Sequence, residues 1–263
     1  MTVDLGTPYL HFEQRGPVAW VTIDRPQRRN ALTANMYFGI RRAVDRVTNS
    51  SSLHALVITG TGDVFAPGGE LGGEHGEGDV DYAALLGSGV LPFDAVRNSP
   101  KPVIASVNGL CMGGGLIIAL MCDLAVASDR ATFGAPELHR GVADAYNAAI
   151  LPEHLGMALA RDLLFTGRRL SAEEAERHGL VARVVPHATL AKETERAVGD
   201  ILQTAPAARR AVKRILNARY GAIDHISFDE SVRGAEVAEG MAAFVEKRSP
   251  AWVPEEFRRP GRL

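Results

Sequence analysis

Two cysteines in 263 residues, Cys111 and Cys122, both set among apolar neighbours, leave no material for a disulfide framework or a Cys/His metal site. Charge of one sign is lacking too: 29 Lys and Arg against 31 Asp and Glu give a net −2, which argues against a chain-wide basic face for nucleic acid. Long apolar runs are missing. The longest, residues 110–121, is broken by three glycines and is too short to span a membrane. The first sixteen residues show no basic segment leading into an apolar one, so a cytoplasmic location is expected. No repeat of fixed period is visible. What remains is the composition of a globular protein with a sizeable core, 46% hydrophobic and 23% charged.

Periodicity supplies the elements. Residues 9–14 and 18–23 alternate and are joined through Gly16-Pro17 as a hairpin. Met36, Ile40, Val44 and Val47 recur at helical spacing behind Thr33, a candidate N-cap. Residues 54–60, 102–107 and 124–127 read as buried strands, with residues 110–112 leading into an apolar helix that starts in Gly113-Gly114-Gly115. Residues 67–79, rich in glycine and glutamate, read as a surface loop or pocket rim outside the core. From about residue 148 the pattern turns helical, and Ser171-Ala172-Glu173-Glu174 is a capping box closed at Gly179. Strands alternating with helices, then a helix-rich last third, predict an α/β fold of stacked ββα turns with a helical C-terminal region. The division is expected at 1–198 for the core and 199–263 for the helical part.

Two glycine-rich turns sit at the ends of predicted strands, Pro67-Gly68-Gly69-Glu70 and Gly113-Gly114-Gly115. Such a turn offers free N–H groups and the positive end of a helix, and could hold a phosphate, a carboxylate or an oxyanion. A dinucleotide site would need G-x-G-x-x-G, and a P-loop would need Gly-Lys-Ser/Thr; neither spacing is present. An oxyanion hole needs only two convergent N–H groups, which two separate turns can supply.

Several stretches, taken in order, are specific. Arg25-Pro26-Gln27-Arg28-Arg29-Asn30-Ala31-Leu32, Phe65-Ala66 with Gly68-Gly69-Glu70-Leu71, Asn108-Gly109 through Gly113-Gly114-Gly115 to Cys122-Asp123, and Phe133-Gly134-Ala135-Pro136-Glu137-Leu138 resemble the crotonase (enoyl-CoA hydratase/isomerase) superfamily. The resemblance covers residues 9–252 and implies a crotonase-like spiral of ββα units that processes acyl-CoA thioesters. It implies that Gly69 and Gly114 donate the two hydrogen bonds to the thioester oxygen. Negative charge gathers on that oxygen when the α-proton leaves, and one preorganised donor to it is worth about 3 kcal/mol. Glu137 is the expected acid/base, since desolvation near a glycine-walled pocket raises a carboxyl pKa toward neutrality.

Two departures bear on the reaction. Hydratases of the family carry a second glutamate three residues after the donor glycine, where this chain has Ile117. That absence leans toward isomerisation, in which one carboxylate moves a proton from C2 to C4. Asp144 lies where relatives with other acyl-CoA chemistry (hydrolysis, decarboxylation, dehalogenation) place a catalytic aspartate, and it could equally be a helix N-cap. Tyr146 and His139 are lesser pocket candidates. A non-catalytic acyl-CoA-binding protein is a further alternative, and retention of Glu137 beside both glycine turns speaks against it.

No tightly bound cofactor or metal is expected; coenzyme A enters as part of the substrate. Its phosphates need local basic groups, and Arg25, Arg28 and Arg29 form one cluster, Lys247 and Arg248 another. By resemblance, Arg28, Ala31, Ala66, Gly68, Phe244 and Lys247 line the coenzyme site, with Phe244 and Lys247 reaching it from a neighbouring subunit. A homotrimer or a dimer of trimers is therefore expected, with no nucleic-acid or membrane partner.

Overall fold

The computed structural model describes residues 3–70, 92–220, 223–255 and 258. Its frame is a six-stranded sheet beside a smaller, four-stranded one. The alternating segments form the expected hairpin, β1 (Leu10–Arg15) antiparallel to β2 (Val18–Ile23). From β2 onward the large sheet is parallel through β3 (Ala55–Gly60), β5 (Val103–Val107), β7 (Leu124–Ser128) and β10 (Arg183–Val185). The five residues of β5 are all buried, as expected for a strand covered on both faces.

Three of the parallel strands are each followed by a short one that crosses to the small sheet. β3 leads to β4 (Val64–Ala66), β5 to β6 (Leu110–Met112) and β7 to β8 (Thr132–Gly134). These three run parallel with β6 in the middle, and β9 (Leu170–Ser171) closes the edge antiparallel to β8. This is the expected spiral of ββα turns. Its helices are α1 (Ala34–Asn49), α2 (Pro92–Asn98) and α3 (Gly113–Met121), followed by α4 (Ala145–Thr166). Thr33 caps α1 by accepting from Met36 N at 3.2 Å, and Lys101 closes the other end, its Nζ donating to the carbonyls of Val47, Ser50 and Leu53.

The C-terminal third is helical: α5 (Ala172–Arg177), α6 (Leu190–Leu202), α7 (Pro206–Asn217), α8 (His225–Val232) and α9 (Ala235–Glu246). The Ser171–Glu174 capping box is formed in both directions. The division expected at 198/199 falls inside α6, which runs unbroken through Gly199.

The expectation that residues 67–79 lie outside the core needs correcting at its start; positions 71–79 lie outside the described residues. Glu70 is buried, and the reason is Arg25, whose Nη2 donates to Glu70 Oε1 at 3.1 Å. Arg25 is thereby removed from the expected set of coenzyme-facing cations, since it is buried and spent on this pair and on the Ala31 carbonyl.

Candidate active site

The small sheet assembles the site. Adjacent parallel strands β4, β6 and β8 end side by side, so the segments that follow them, residues 67–70, the 113–115 turn and the 136–140 turn, emerge together. The first turn is fastened by a parallel bridge between Leu32 and Gly69: Leu32 N donates to the Gly68 carbonyl and Glu70 N donates to the Leu32 carbonyl. In a parallel ladder the bridging residue's own N–H points the other way, so Gly69 N–H faces away from Leu32. On the opposite side of this turn, a Cβ added to Gly68 would stand 3.3 Å from Gly114 N.

Gly114 is the second residue of α3, and the first four N–H groups of a helix have no partner within it. Gly69 and Gly114 are each partly open while both chain neighbours of each are buried. Gly114 also carries the close approach of Tyr37, whose ring Cζ would lie 3.2 Å from a Cβ there. Tyr37 begins an aromatic row: its ring meets Phe93 edge-on at 5.7 Å, Phe93 meets Tyr146 at 4.9 Å, and the Tyr146 hydroxyl donates to Asp94 at 3.1 Å.

Glu137 opens the turn after β8, a 3-10 helix spanning Glu137–Arg140. Its carboxyl lies against Gly113, where φ is 51° and where any Cβ would overlap Oε1. Only glycine meets both conditions without strain. The Glu137 stem is partly open, but Oε2 is buried with no donor among the described residues. Burial pushes this carboxyl well above its ordinary range, and the neighbouring Asp144 carboxyl pushes it further.

Of the two roles left open by the sequence for Asp144, the structure shows the helix cap. Asp144 is the N-cap of α4, accepting from Asn147 N at 3.0 Å, and its second oxygen accepts from the Asn147 amide at 2.6 Å. It also lies within hydrogen-bonding reach of Glu137. Burial raises Asp144 as well, but the two Asn147 bonds favour its charged form. Two buried carboxyls in contact share one proton, and the one richer in donors keeps the charge. The Asn147 bonds thus draw the shared proton toward Glu137.

Ile117 is buried on α3. It lies four residues after Gly113 and so on the same helix face, the one that meets Glu137. His139 Nε2 donates to the Thr166 carbonyl at 3.1 Å, and Tyr146 is held in the aromatic row, so neither points free into the site.

The expected coenzyme residues are spread around these turns. Ala66 and Gly68 are buried in and after β4, and Ala31 lies partly open beside Leu32. Arg28 is half-exposed, with its Nε 3.8 Å from Glu70. Phe244 packs against the Arg140 guanidinium of its own chain, 4.8 Å from ring centre to Cζ, and Lys247 is exposed at the end of α9. A cavity of about 710 Å³ runs past Pro67, Met112 and Pro136 and is bordered by Arg29, Arg140 and Arg169. A second, of about 520 Å³ and largely apolar, opens from Asp144 along α4 to Leu164 and Phe165. Sequence reasoning missed Tyr37, Phe93, Asn147 and Arg140. For Asn147 a signal existed, its place three residues after the candidate N-cap.

Among the described residues no group of His, Cys, Asp and Glu is placed to hold a metal, and no helix is long and apolar enough to cross a membrane. Two glycine turns and the Glu137 carboxyl, one oxygen of which is buried, are thus brought together at the ends of three parallel strands.

The family model described as enoyl-CoA hydratase/isomerase matches residues 13–255, so the chain belongs to that family of enzymes, within the crotonase superfamily, whose substrates are coenzyme A thioesters. It is 34% identical over 257 residues to a carnitinyl-CoA dehydratase of Citrobacter koseri, covering 92% of this chain and 97% of the relative. Its fold superposes on an enoyl-CoA hydratase/isomerase of Pseudoalteromonas atlantica T6c with a TM-score of 0.80 at 30% identity, over 93% of this chain and 100% of the other. A carnitinyl-CoA hydratase of Mycobacterium avium gives 0.78 at 32%, over 94% and 98%.

Proposed function

We propose that the protein interconverts a 3-hydroxyacyl-CoA and a 2-enoyl-CoA, with Glu137 and Asp144 as its acid–base pair and the Gly69 and Gly114 N–H groups holding the thioester oxygen. The observation that carries this reading is the placement of two carboxyls at one site: Glu137 against Gly113, and Asp144, held as the α4 cap, at the mouth of the apolar cavity, each raised by burial. Adding or removing water across a double bond needs one group for the oxygen and a proton for the α-carbon, and a pair that shares one proton can supply both. Asp144 thus compensates for the apolar Ile117. The names of the relatives, carnitinyl-CoA dehydratase and hydratase, favour the same direction.

In this reading coenzyme A is held by backbone at Ala31, Ala66 and Gly68 and by Arg28, Phe244 and Lys247, and no other cofactor takes part. The cavity bordered by Arg29, Arg140 and Arg169 suits its phosphates. The acyl group turns into the apolar cavity that opens at Asp144. Trimers or dimers of trimers form through residues 199–263, a role supported by Val212, Ile215 and Leu216, which leave an apolar edge of α7 exposed.

A second reading is double-bond isomerisation by Glu137 alone, favoured by Ile117 on the helix face next to it. The two are separated by offering crotonyl-CoA and a 3-enoyl-CoA to the wild type, Glu137→Gln and Asp144→Asn. Hydration of crotonyl-CoA lost by 100-fold or more in both variants supports the carboxyl pair, since positioned acid–base groups contribute about 100- to 10,000-fold. Turnover of the 3-enoyl-CoA alone, with Asp144→Asn nearly unaffected, selects the isomerase. Asn is itself a good N-cap, so the second substitution spares α4.

A further inference from the structure

The turn that carries Glu137 is gripped from outside the small sheet by the last two helices. α9 crosses it at Gly240, which is buried: a side chain there would stand 2.6 Å from the Arg140 carbonyl carbon and oxygen and 2.7 Å from its Cα. Backbone therefore lies on backbone. The reciprocal contact is made by Gly141, where a Cβ would come within 2.5 Å of the Glu236 carbonyl carbon. α8 adds a hydrogen bond, the Ala143 N–H donating to Ser231 Oγ at 3.0 Å. Phe244 of α9 supports the Arg140 guanidinium, which donates back to the Pro136 carbonyl at 2.9 Å. These contacts fall at positions 136, 140, 141 and 143. They bracket Glu137 and lead directly into Asp144.

We infer that Gly240 is a positioning residue for Glu137: by letting α9 lie directly on the turn, it sets how far the Glu137 carboxyl reaches toward Gly113 and Asp144. The inference rests on the acid–base reading of Glu137 given above. A methyl at Gly240 meets main-chain atoms, which cannot swing aside as the end of a long side chain can, so the turn or the helix must shift. The Val142 N–H bond to the Glu137 carbonyl at 3.1 Å makes the turn move as a unit and carries the shift to the carboxyl. No atom of Gly240 touches the reacting groups. Its effect is transmitted entirely through the geometry of residues 137–141.

The test is exchange of the α-protons of butyryl-CoA for solvent deuterium, followed by NMR on the full-length chain, because it reads proton transfer whichever net reaction the enzyme performs. In Gly240→Ala we expect exchange to slow by about ten- to a hundredfold, the scale of misplacing a reacting group by up to an ångström. Butyryl-CoA affinity should stay within about threefold, the split expected when only positioning is lost. The pH midpoint of exchange should also move down, toward the ordinary carboxylate range, as Glu137 and Asp144 separate. Gly199→Ala, in α6 with nothing within 4 Å of the added methyl, should keep the wild-type rate and midpoint. Ser231→Ala should change rate and midpoint in the same direction by a smaller factor, and it decides the matter if Gly240→Ala does not fold. A folded Gly240→Ala with the wild-type rate and midpoint overturns the inference, as does a loss that appears wholly as weaker binding or a wild-type Ser231→Ala beside an unfolded Gly240→Ala. Glu137→Gln serves as reference. If it exchanges normally, the acid–base reading itself fails, whereas a dead Glu137→Gln with a normal Gly240→Ala removes only the positioning role.

Discussion

Arg25 and Glu70, 45 residues apart in the chain, form a buried ion pair beneath the first glycine turn, with side chains 3% and 4% exposed. The pair ties the segment before Leu32 to the residue after Gly69, and Leu32 is itself bridged to Gly69. Breaking such a pair from one side leaves a lone buried charge, which typically costs about 3–5 kcal/mol. Arg25→Ala and Glu70→Ala should each lower the denaturation midpoint strongly. Arg25→Lys should recover only part of it, because the single lysine nitrogen cannot span both Glu70 and the Ala31 carbonyl as the two guanidinium nitrogens do. Urea melts of the three variants check this, and a near-neutral Arg25→Ala would refute a structural role for the pair.

Gly113 stands where the second turn meets Glu137. Alanine at a φ of 51° costs roughly 1–2 kcal/mol of strain, and its methyl would occupy the space of the Glu137 carboxyl. Gly113→Ala should fold with that modest loss and yet lose most of its turnover. Thermal melts set beside initial rates on crotonyl-CoA separate the two effects; a variant with unimpaired rates would show that Glu137 works from another rotamer.

The raised Glu137 carboxyl makes a prediction about stability and pH. Its folded form holds a proton that the unfolded chain releases in the ordinary carboxylate range. Between that range and the higher folded value, the native state binds more protons, so stability falls as pH rises. Glu137→Gln removes this slope. The variant should gain in melting temperature over wild type at neutral pH and lose the advantage at acid pH. Equal melting temperatures across the range would contradict the buried, proton-sharing pair.

Coenzyme contacts are tested by Arg28→Ala combined with Lys247→Ala. Bonds to phosphates remote from the reacting carbons hold ground state and transition state alike, so KM for crotonyl-CoA should rise severalfold or more with kcat nearly unchanged. An unaltered KM would remove both residues from the coenzyme site.

Much of the scaffold was legible because its signals are local. The β1–β2 hairpin, the Thr33 cap and the Ser171 box depend on residues within a few positions of one another. Glu137 and both glycine turns were legible through family resemblance. What escaped depends on distant partners. Nothing near Arg25 announces Glu70, so Arg25, Arg28 and Arg29 read as one basic cluster for the coenzyme phosphates. Asp144 was read as cap or site because sequence cannot show that the 3-10 turn and Gly141 fold the chain back until the cap meets Glu137. Tyr37 gave no local signal, because its approach to Gly114 joins residues far apart in the chain.

The small sheet also dictates when the catalytic machinery can exist. Its three site-bearing strands come from successive turns of the spiral, and β4 pairs with β6 across more than forty residues while the helices close locally. Contacts between distant segments form slowly compared with helices. During refolding, helical signal should therefore return before any proton exchange does. Turnover then reports completion of the last inter-turn pairing, making the enzyme's own activity a clock for the end of its folding.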